Sequence, residues 1–478
     1  MEWNEKIIGR YYEKRLLQQY YDSDKSELVA LYGRRRVGKT YLIRCTFKDE
    51  FDFYFTGIYQ GTKKTQLTEF SKILGLKRPP KDWFSAFDLL KEHLLSLNKE
   101  KVTVFLDELP WMDTPKSDFI QAFSLFWNMW PMGKSLLKLY VCGSSTSWML
   151  DNFIGDKGGL YGRTKRSIYL KPFTLSETEQ YLNTIKRLNI NRRQVLDIYM
   201  MMGGIPYYLD MLDPSFTISH NVDILFFLQN APLRTEYEFL FRSLYKNGVK
   251  YRKVVEIISK KLKGLSRDEI VSELGEDGGS ITKILKDLES CDFIRSYTAF
   301  GKKKKEVLYQ LTDLFSLFYL RFVKNSNTQD ENYWSNLPEG QKHTWEGYAF
   351  EQVCLHHIRE IKGKLGISGI LSNVYSWSVK PFTDENGINW DGGQIDLLID
   401  RQDDVINLCE IKYSSNEYNI TKEYEKHIRE RTSLFRQVSK TRKSLNITFI
   451  STYGIKHGVN SSIVQSEITM DDLFKSID

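Results

Sequence analysis

No uninterrupted apolar run in the 478-residue sequence approaches the roughly 18 residues that a membrane-spanning helix needs. The opening residues MEWNEKIIGRYYEKRL lack the apolar stretch of a signal peptide. Together these absences exclude a helical membrane protein and make a cytoplasmic protein the expectation. Cysteine is scarce: Cys45, Cys142, Cys291, Cys354 and Cys409 are odd in number, far apart and mostly set among apolar residues. Neither a disulfide framework nor a zinc site is therefore expected. There is no internal repeat and no low-complexity tract. What the chain does contain is ordinary globular material, 41% hydrophobic, 14% aromatic and 27% charged, enough for packed cores in about three domains. Its net charge of +7 leans mildly toward anionic partners and is spread over a long chain.

Up to residue 180, short apolar runs (ELVALYG, DFYFTGI, KVTVFLDEL, LKLYVCGSS, SIYLKPF) alternate with longer helical patterns. Strands separated by helices predict a three-layer α/β core with a parallel sheet. Residues 181–244 read as helical, interrupted by MMGGIPYYL. Over 245–325 three amphipathic helices precede two strands around a Gly-Lys turn, the order of a winged helix. The polar stretch 326–342 suits a linker or loop, and 343–478 is a second α/β region.

Within LVALYGRRRVGKTYLIR, residues Gly33, Gly38, Lys39 and Thr40 fit the spacing of a phosphate-binding loop, after an apolar strand and at the start of a helix. Glycines there let backbone N–H groups curl around phosphates, and the helix N-terminus adds positive potential. The nucleotide-binding set is Gly33, Arg34, Arg35, Arg36, Val37, Gly38, Lys39, Thr40 and Tyr41, with ATP and Mg²⁺ as the expected cofactors. Lys39 is assigned to the β and γ phosphates and Thr40 to the metal. The three arginine side chains are expected to point mostly outward, toward salt bridges or an anionic partner. In KVTVFLDELPWMD, Asp107 ends an apolar strand as a Mg²⁺ carboxylate would, and Glu108 follows it as the residue polarising an attacking water. A plain helix cap is the competing reading of that acidic pair.

The motifs IIGRYYEKRLLQQY, GRRRVGKT, FLDE, CGSSTSWM, LYGRTKRSIYLKPFTLSE and GGIPYYL, in that order over residues 7–210, resemble the archaeal-type ATPases of the AAA/STAND group. The resemblance implies that Ser144 or Ser145 occupies the γ-phosphate sensor position and that Arg163 is a candidate arginine finger; a structural arginine at the start of a strand is the equal alternative. It also implies ATP hydrolysis and self-association as a homo-oligomer, and it gives Pro206 a helical-lid role in packing or nucleotide contact.

In the winged-helix segment, GGSITKILKDLES supplies the groove helix, with Ser280 as its expected N-cap and Lys283 and Lys286 on its polar side. Lys302 to Lys305 form a basic wing for phosphates. The competing reading is a protein-packing module with a solvated lysine turn. Base-edge readers such as Arg, Asn or Gln are missing from the helix face, so any DNA binding is expected to be independent of sequence.

The remaining charges sit on apolar strands: Asp396 in QIDLLID, then Glu410 and Lys412 in NLCEIK. Residues two apart on a strand share a face, so Glu410 and Lys412 point together and Asp396 joins them across the hairpin. Converging carboxylates offer oxygen ligands to Mg²⁺, and a neighbouring ammonium orients water and steadies a pentacovalent phosphate. This stretch resembles the PD-(D/E)XK nuclease superfamily, although Gly393-Gln394-Ile395-Asp396 lacks the proline of its name. By that resemblance Glu351, on the preceding helix HTWEGYAFEQVCLHHIREI beside Glu346, completes the metal set with Asp396 and Glu410, and Gln437 matches a glutamine on the following helix. The implied fold is a P-loop NTPase three-layer α/β core with a helical lid, a winged helix and a C-terminal restriction-endonuclease-like domain. The implied function is ATP hydrolysis coupled to a metal-dependent nuclease acting on nucleic acid, DNA above all. A nucleotide-gated switch that binds without cutting, and an ATP-gated winged-helix regulator, are the alternatives.

Overall fold

The computed structural model of the chain describes residues 7–131, 134–155, 166–245, 247–275, 278–302, 306–326, 330–384, 387 and 389–476. Five strands, β1 (Glu27–Tyr32), β2 (Phe53–Thr56), β3 (Lys101–Asp107), β4 (Leu136–Gly143) and β5 (Arg166–Tyr169), form a parallel sheet in the order β2-β3-β4-β1-β5. Alternation along β1 sends Leu28 and Ala30 into a core with Phe55, Leu106 and Leu139, and Val29 and Leu31 into a core with Leu42, Ile43 and Tyr140. A strand covered on both faces must be apolar at successive positions, which is why ELVALY shows no polar alternation. Helix Lys39–Thr46 covers one face; helices Trp83–Ser96 and Phe119–Asn128 cover the other. Because the strands run one way, the loops after β1, β3 and β4 gather at one sheet edge, where open parallel sheets bind ligands.

The middle of the chain holds helices Arg192–Met202, Pro206–Asp210, Ile218–Val222 and Pro232–Leu244. Helices Gly248–Ser259, Arg267–Leu274 and Ile281–Ser290 then pack with an antiparallel sheet of β6 (Leu265–Ser266), β7 (Ile294–Thr298) and β8 (Val307–Leu311), in the order β6-β8-β7.

In the C-terminal region, β9 (Ser372–Val379), β12 (Gly393–Arg401), β13 (Val405–Lys412), β14 (Ser444–Ser451) and β15 (Ser466–Thr469) make a mixed sheet in the order β15-β14-β13-β12-β9; a ribbon of β10 (Phe382–Thr383) and β11 (Asn389–Trp390) sits beside it. Leu397 and Cys409 face a core shared with helix Glu339–His356, while Leu398 and Leu408 face one shared with helix Lys422–Ser439.

The modules are fused. One apolar core runs from Leu31 through Phe226, Phe315 and Trp345 to Ile450. Of the segment 326–342, expected to be a linker or loop, the described residues from 330 onward are fastened down rather than loose. Trp334 is buried among Phe318, Phe322 and Trp345, and the backbone N–H groups of Trp334 and Ser335 donate to Asp223 at 2.6 and 3.2 Å. Its polar composition concealed the two aromatic anchors Tyr333 and Trp334. Farther along, the N–H of Leu175 donates to Nε2 of His357 at 3.1 Å, while Nδ1 of that ring lies 2.8 Å from the Val353 carbonyl. Burial lowers the His357 pKa to about 4, so the ring is neutral, with its proton on Nδ1, and ties the N-terminal half to the C-terminal helix. No helix among the described residues is long and apolar enough to cross a membrane.

Candidate functional site

The loop after β1 has the backbone that its glycines permit. Gly33 lies at φ +143°, and a Cβ there would stand 2.3 Å from the Leu170 carbonyl oxygen, so only glycine fits. Gly38, at φ +90°, has open space where a side chain would project. Lys39 opens its helix almost fully buried, and its Nζ donates to the carbonyls of Gly33 at 3.0 Å and Arg34 at 2.9 Å. Thr40 Oγ1 donates to Asp107 at 3.0 and 3.1 Å, which joins the start of the helix to the end of β3. Asp107 also accepts from the Glu108 N–H at 2.9 Å and from the Cys142 thiol. Burial raises its pKa, and the Cys142 bond opposes that shift. Glu108, at φ +50°, accepts from the N–H of Ser144 at 3.0 Å and from its hydroxyl. Of the two sensor candidates, Ser144 is therefore the one joined to Glu108.

These residues fit a Mg-nucleotide. Phosphate oxygens would replace the two loop carbonyls around Lys39, and the Thr40–Asp107 pair offers hydroxyl and carboxylate oxygens of the kind Mg²⁺ takes. Bound there, Mg²⁺ would offset charge on the β and γ phosphates. The chain's own contribution is to position: Lys39 holds the phosphate end, and Glu108 presents its carboxylate from the same sheet edge.

Of the loop arginines, Arg34 departs from expectation, whereas Arg36 makes a salt bridge of the expected kind. Arg34 does not point outward; both it and Asp313 are about 2% exposed and form a bidentate ion pair, with the second bond at 3.1 Å. Asp313 lies beyond β8 and also caps helix Leu314–Phe318 by accepting from Ser316 N at 2.9 Å. Arg36 makes two 3.1 Å bonds to Glu236 and lies 3.9 Å over the Tyr207 ring. Both side chains are occupied by later modules, since three adjacent cations beside a crowded lid find carboxylates close at hand. Arg35 is half-buried, Val37 buried, and Tyr41 50% exposed. Arg163 lies outside the described residues.

In the middle module, Ser280 sits in a short helical turn and its side chain caps nothing, contrary to expectation, because its own backbone is already helical. Lys283 and Lys286 both approach Asp151 of the N-terminal half at 3.5 Å. Tyr169 OH donates to Asp292, another tie to the N-terminal parallel sheet. Lys302 pairs with Glu306 at 3.4 Å, whereas Lys303, Lys304 and Lys305 lie outside the described residues.

At the C-terminal candidate, β9 and β12 shift register between Ile395 and Leu398, and Asp396 sits in that irregularity. It accepts from the Gln394 amide and lines a cavity with Glu351. Glu410 accepts instead from Tyr424 OH and Arg431 of helix Lys422–Ser439, with Lys412 Nζ 3.2 Å away. Burial raises the pKa of Glu351 to about 8, Asp396 adding to the effect and Lys412 opposing it.

The expectation that Glu351, Asp396 and Glu410 form one metal cage is therefore not met. Among the described residues no group of three acidic, histidine or cysteine side chains is placed to hold a metal ion. The register shift breaks the simple alternation that put Asp396 with Glu410, and Arg431 already neutralises Glu410. Gln437 is exposed, and Glu346 is engaged by His343 at 3.0 Å. Tyr424 and Arg431 went unnoticed in the sequence. Their signal was a seven-residue spacing on an amphipathic helix, which puts both on one face.

Residues 9–212 match the family model of an ATPase domain predominantly from Archaea. The chain is 24% identical over 360 residues to an uncharacterized protein, MJECL04, of Methanocaldococcus jannaschii, across 74% of this chain and 78% of that one. Similar solved structures include the Walker-type ATPase PABY2304 of Pyrococcus abyssi, with 16% identity, 67% of this chain and 97% of that one covered and a TM-score of 0.45. A RuvB mutant of Thermotoga maritima follows, with 13% identity, 63% and 92% covered and a TM-score of 0.34. The family match falls on the segment that carries the phosphate loop, Asp107, Glu108 and Ser144, and the N-terminal part of this chain is a P-loop ATPase domain.

Proposed function

We propose that the chain couples ATP hydrolysis to a C-terminal domain that acts on nucleic acid. The observation that carries this reading is the pair of ion pairs leaving the phosphate loop: Arg34 to Asp313 and Arg36 to Glu236. A loop that reshapes around nucleotide cannot move without pulling on helices Leu314–Phe318 and Pro232–Leu244. In this reading Lys39, Thr40, Asp107, Glu108 and Ser144 serve ATP and Mg²⁺. The module of 245–325 is a winged helix that transmits, and Glu351, Asp396, Glu410 and Lys412 serve a nuclease-like site in the fold of the PD-(D/E)XK superfamily. Arg163 retains its proposed role as an arginine finger. DNA is the favoured substrate, and self-association accompanies the ATPase.

Cutting would need Glu410 to leave Arg431 and Tyr424, so the described arrangement is a resting one in this reading. That same engagement favours a second reading, a nucleotide-gated switch whose C-terminal domain binds nucleic acid or protein without cleaving it. One experiment separates them: incubation of the full chain with single- and double-stranded DNA and RNA, Mg²⁺ or Mn²⁺, and ATP, beside the Lys412→Ala variant. Cleavage that vanishes in the variant while ATP turnover persists supports the enzyme. Intact substrates under every condition, with ATP still hydrolysed, support the switch.

A further inference from the structure

The cavity beside Glu351 and Asp396 has a volume of about 450 Å³ and is built by two modules. Tyr348, Gln352, Trp377 and Gln394 come from the C-terminal domain; Arg295 and Tyr297 on β7 come from the middle sheet. The two modules are joined above it. The Phe300 N–H donates to the Ser376 carbonyl at 2.8 Å, and the Phe300 ring packs 5.5 Å from Tyr375 and 5.4 Å from Phe435.

Two polar groups on the wall are open to a further partner, Arg295 half-buried and Gln352 fully buried. Arg295 donates from Nε to Gln310 at 2.7 Å and lies 4.7 Å over the Tyr297 ring, but makes no ion pair with a described residue. Burial lowers its pKa. Arg295 is half-buried, and a partly desolvated cation without a counter-charge gains from an anion that joins it. Gln352 is 1% exposed and its Oε1 has no hydrogen-bond partner. An arginine, an open amide acceptor and aromatic rings around one space are what a single strand uses, through its phosphate, base edge and base face.

We infer that the cavity takes one nucleotide of a single nucleic-acid strand, the phosphate anchored by Arg295 and the base edge by Gln352, and that an intact duplex is excluded. This rests on the reading of the C-terminal domain as directed at phosphodiesters. Size supports it. Drawn as a cube, the space is under about 8 Å on edge, narrower than the roughly 12 Å major groove alone. A strand end or an unpaired nucleotide enters without the cost of unstacking.

The test is fluorescence anisotropy with the full chain in EDTA, using a labelled 12-nucleotide single strand and a duplex closed by hairpins at both ends. The single strand is expected to bind at least tenfold more tightly. Arg295→Ala should weaken it at least tenfold with an unchanged melting temperature. Should Arg295→Ala prove unstable, Ser378→Trp, which adds bulk at an exposed position lining the cavity, must give the same loss. Equal affinity for the closed duplex, no binding of the single strand, or an unchanged affinity in the variant that folds overturns the inference. Cleavage in Mn²⁺ is scored separately. A strand bound but never cut removes the nuclease reading and keeps this one, while a closed duplex cut and bound as well as single strand does the reverse.

Discussion

The nucleotide site and the C-terminal candidate site hold their charges differently. At the nucleotide site Lys39 rests on backbone carbonyls, neutral partners that a phosphate readily displaces, and Thr40 rests on Asp107. At the C-terminal site Glu410 is held by a guanidinium and a phenol, and Asp396 by an amide. Displacing a charged partner costs far more than displacing a carbonyl, because charge-assisted bonds are the strong ones. The first site is poised for its ligand, and the second must be rearranged before three carboxylates can meet.

The largest expected effect breaks this contrast at its simpler end. Lys39→Ala removes the ammonium held on the loop carbonyls of Gly33 and Arg34 and should lower ATP turnover by on the order of 10²–10³-fold, as loss of a transition-state charge partner does. Phosphate release measures it, and Lys412→Ala in the same assay should leave turnover within about twofold.

The arginine clasp gives the next effect. Arg34→Ala leaves Asp313 buried and unpaired, a change worth about 3–5 kcal/mol, whereas replacing both partners by apolar residues, Arg34→Met with Asp313→Leu, should recover most of it. Urea midpoints of the three variants against the parent check this. Equal losses in the single and double variants would mean that the pair is not what holds the loop to the later module.

How far each site was legible follows from the distances the chain has to bridge. The nucleotide site needs a strand, a glycine loop and a helix that are contiguous, plus one carboxylate at a strand end; apolar runs and glycine spacing reveal all of these. The parallel sheet was legible for the same reason. What escaped depends on tertiary docking. Nothing local announces that Arg34 will meet Asp313, 279 residues away, or that Arg431 will reach Glu410 from the next helix. The register shift between Ile395 and Leu398 is invisible to an alternation count, because one irregularity redirects Asp396 while leaving the apolar pattern intact. The packing of the polar stretch escaped because its composition outweighed Trp334, which the fold buries, and Tyr333, which it half-buries.

Glu351 sharpens the contrast through pH. Its folded pKa, near 8, stands above the ordinary carboxylate value of 4.5. Between those values the unfolded chain has released its proton while the folded chain keeps it, so stability falls as pH rises through that window and levels off above 8. Glu351→Gln removes this loss. Its melting temperature should match the parent near pH 4.5, exceed it increasingly toward pH 8, and run parallel beyond. A constant offset across the range would place the titration elsewhere.

The smallest expected effect concerns the helix Ile281–Ser290. Its lysines approach Asp151 at 3.5 Å from exposed positions, where an ion pair contributes about 0.5 kcal/mol or less. Asp151→Ala should therefore leave the melting temperature within about 1–2 °C. It does release Lys286 for other anions and leaves Lys283 with only Asp287 of its own helix, 3.7 Å away. If that helix meets DNA, affinity for any duplex sequence should rise, and the rise should shrink as salt is added, since phosphate contacts are screened and sequence-blind. If the helix serves only to hold the middle module against the nucleotide-bearing half, DNA affinity stays flat. ATP turnover changes instead, because one tie between the middle module and the N-terminal half has been removed.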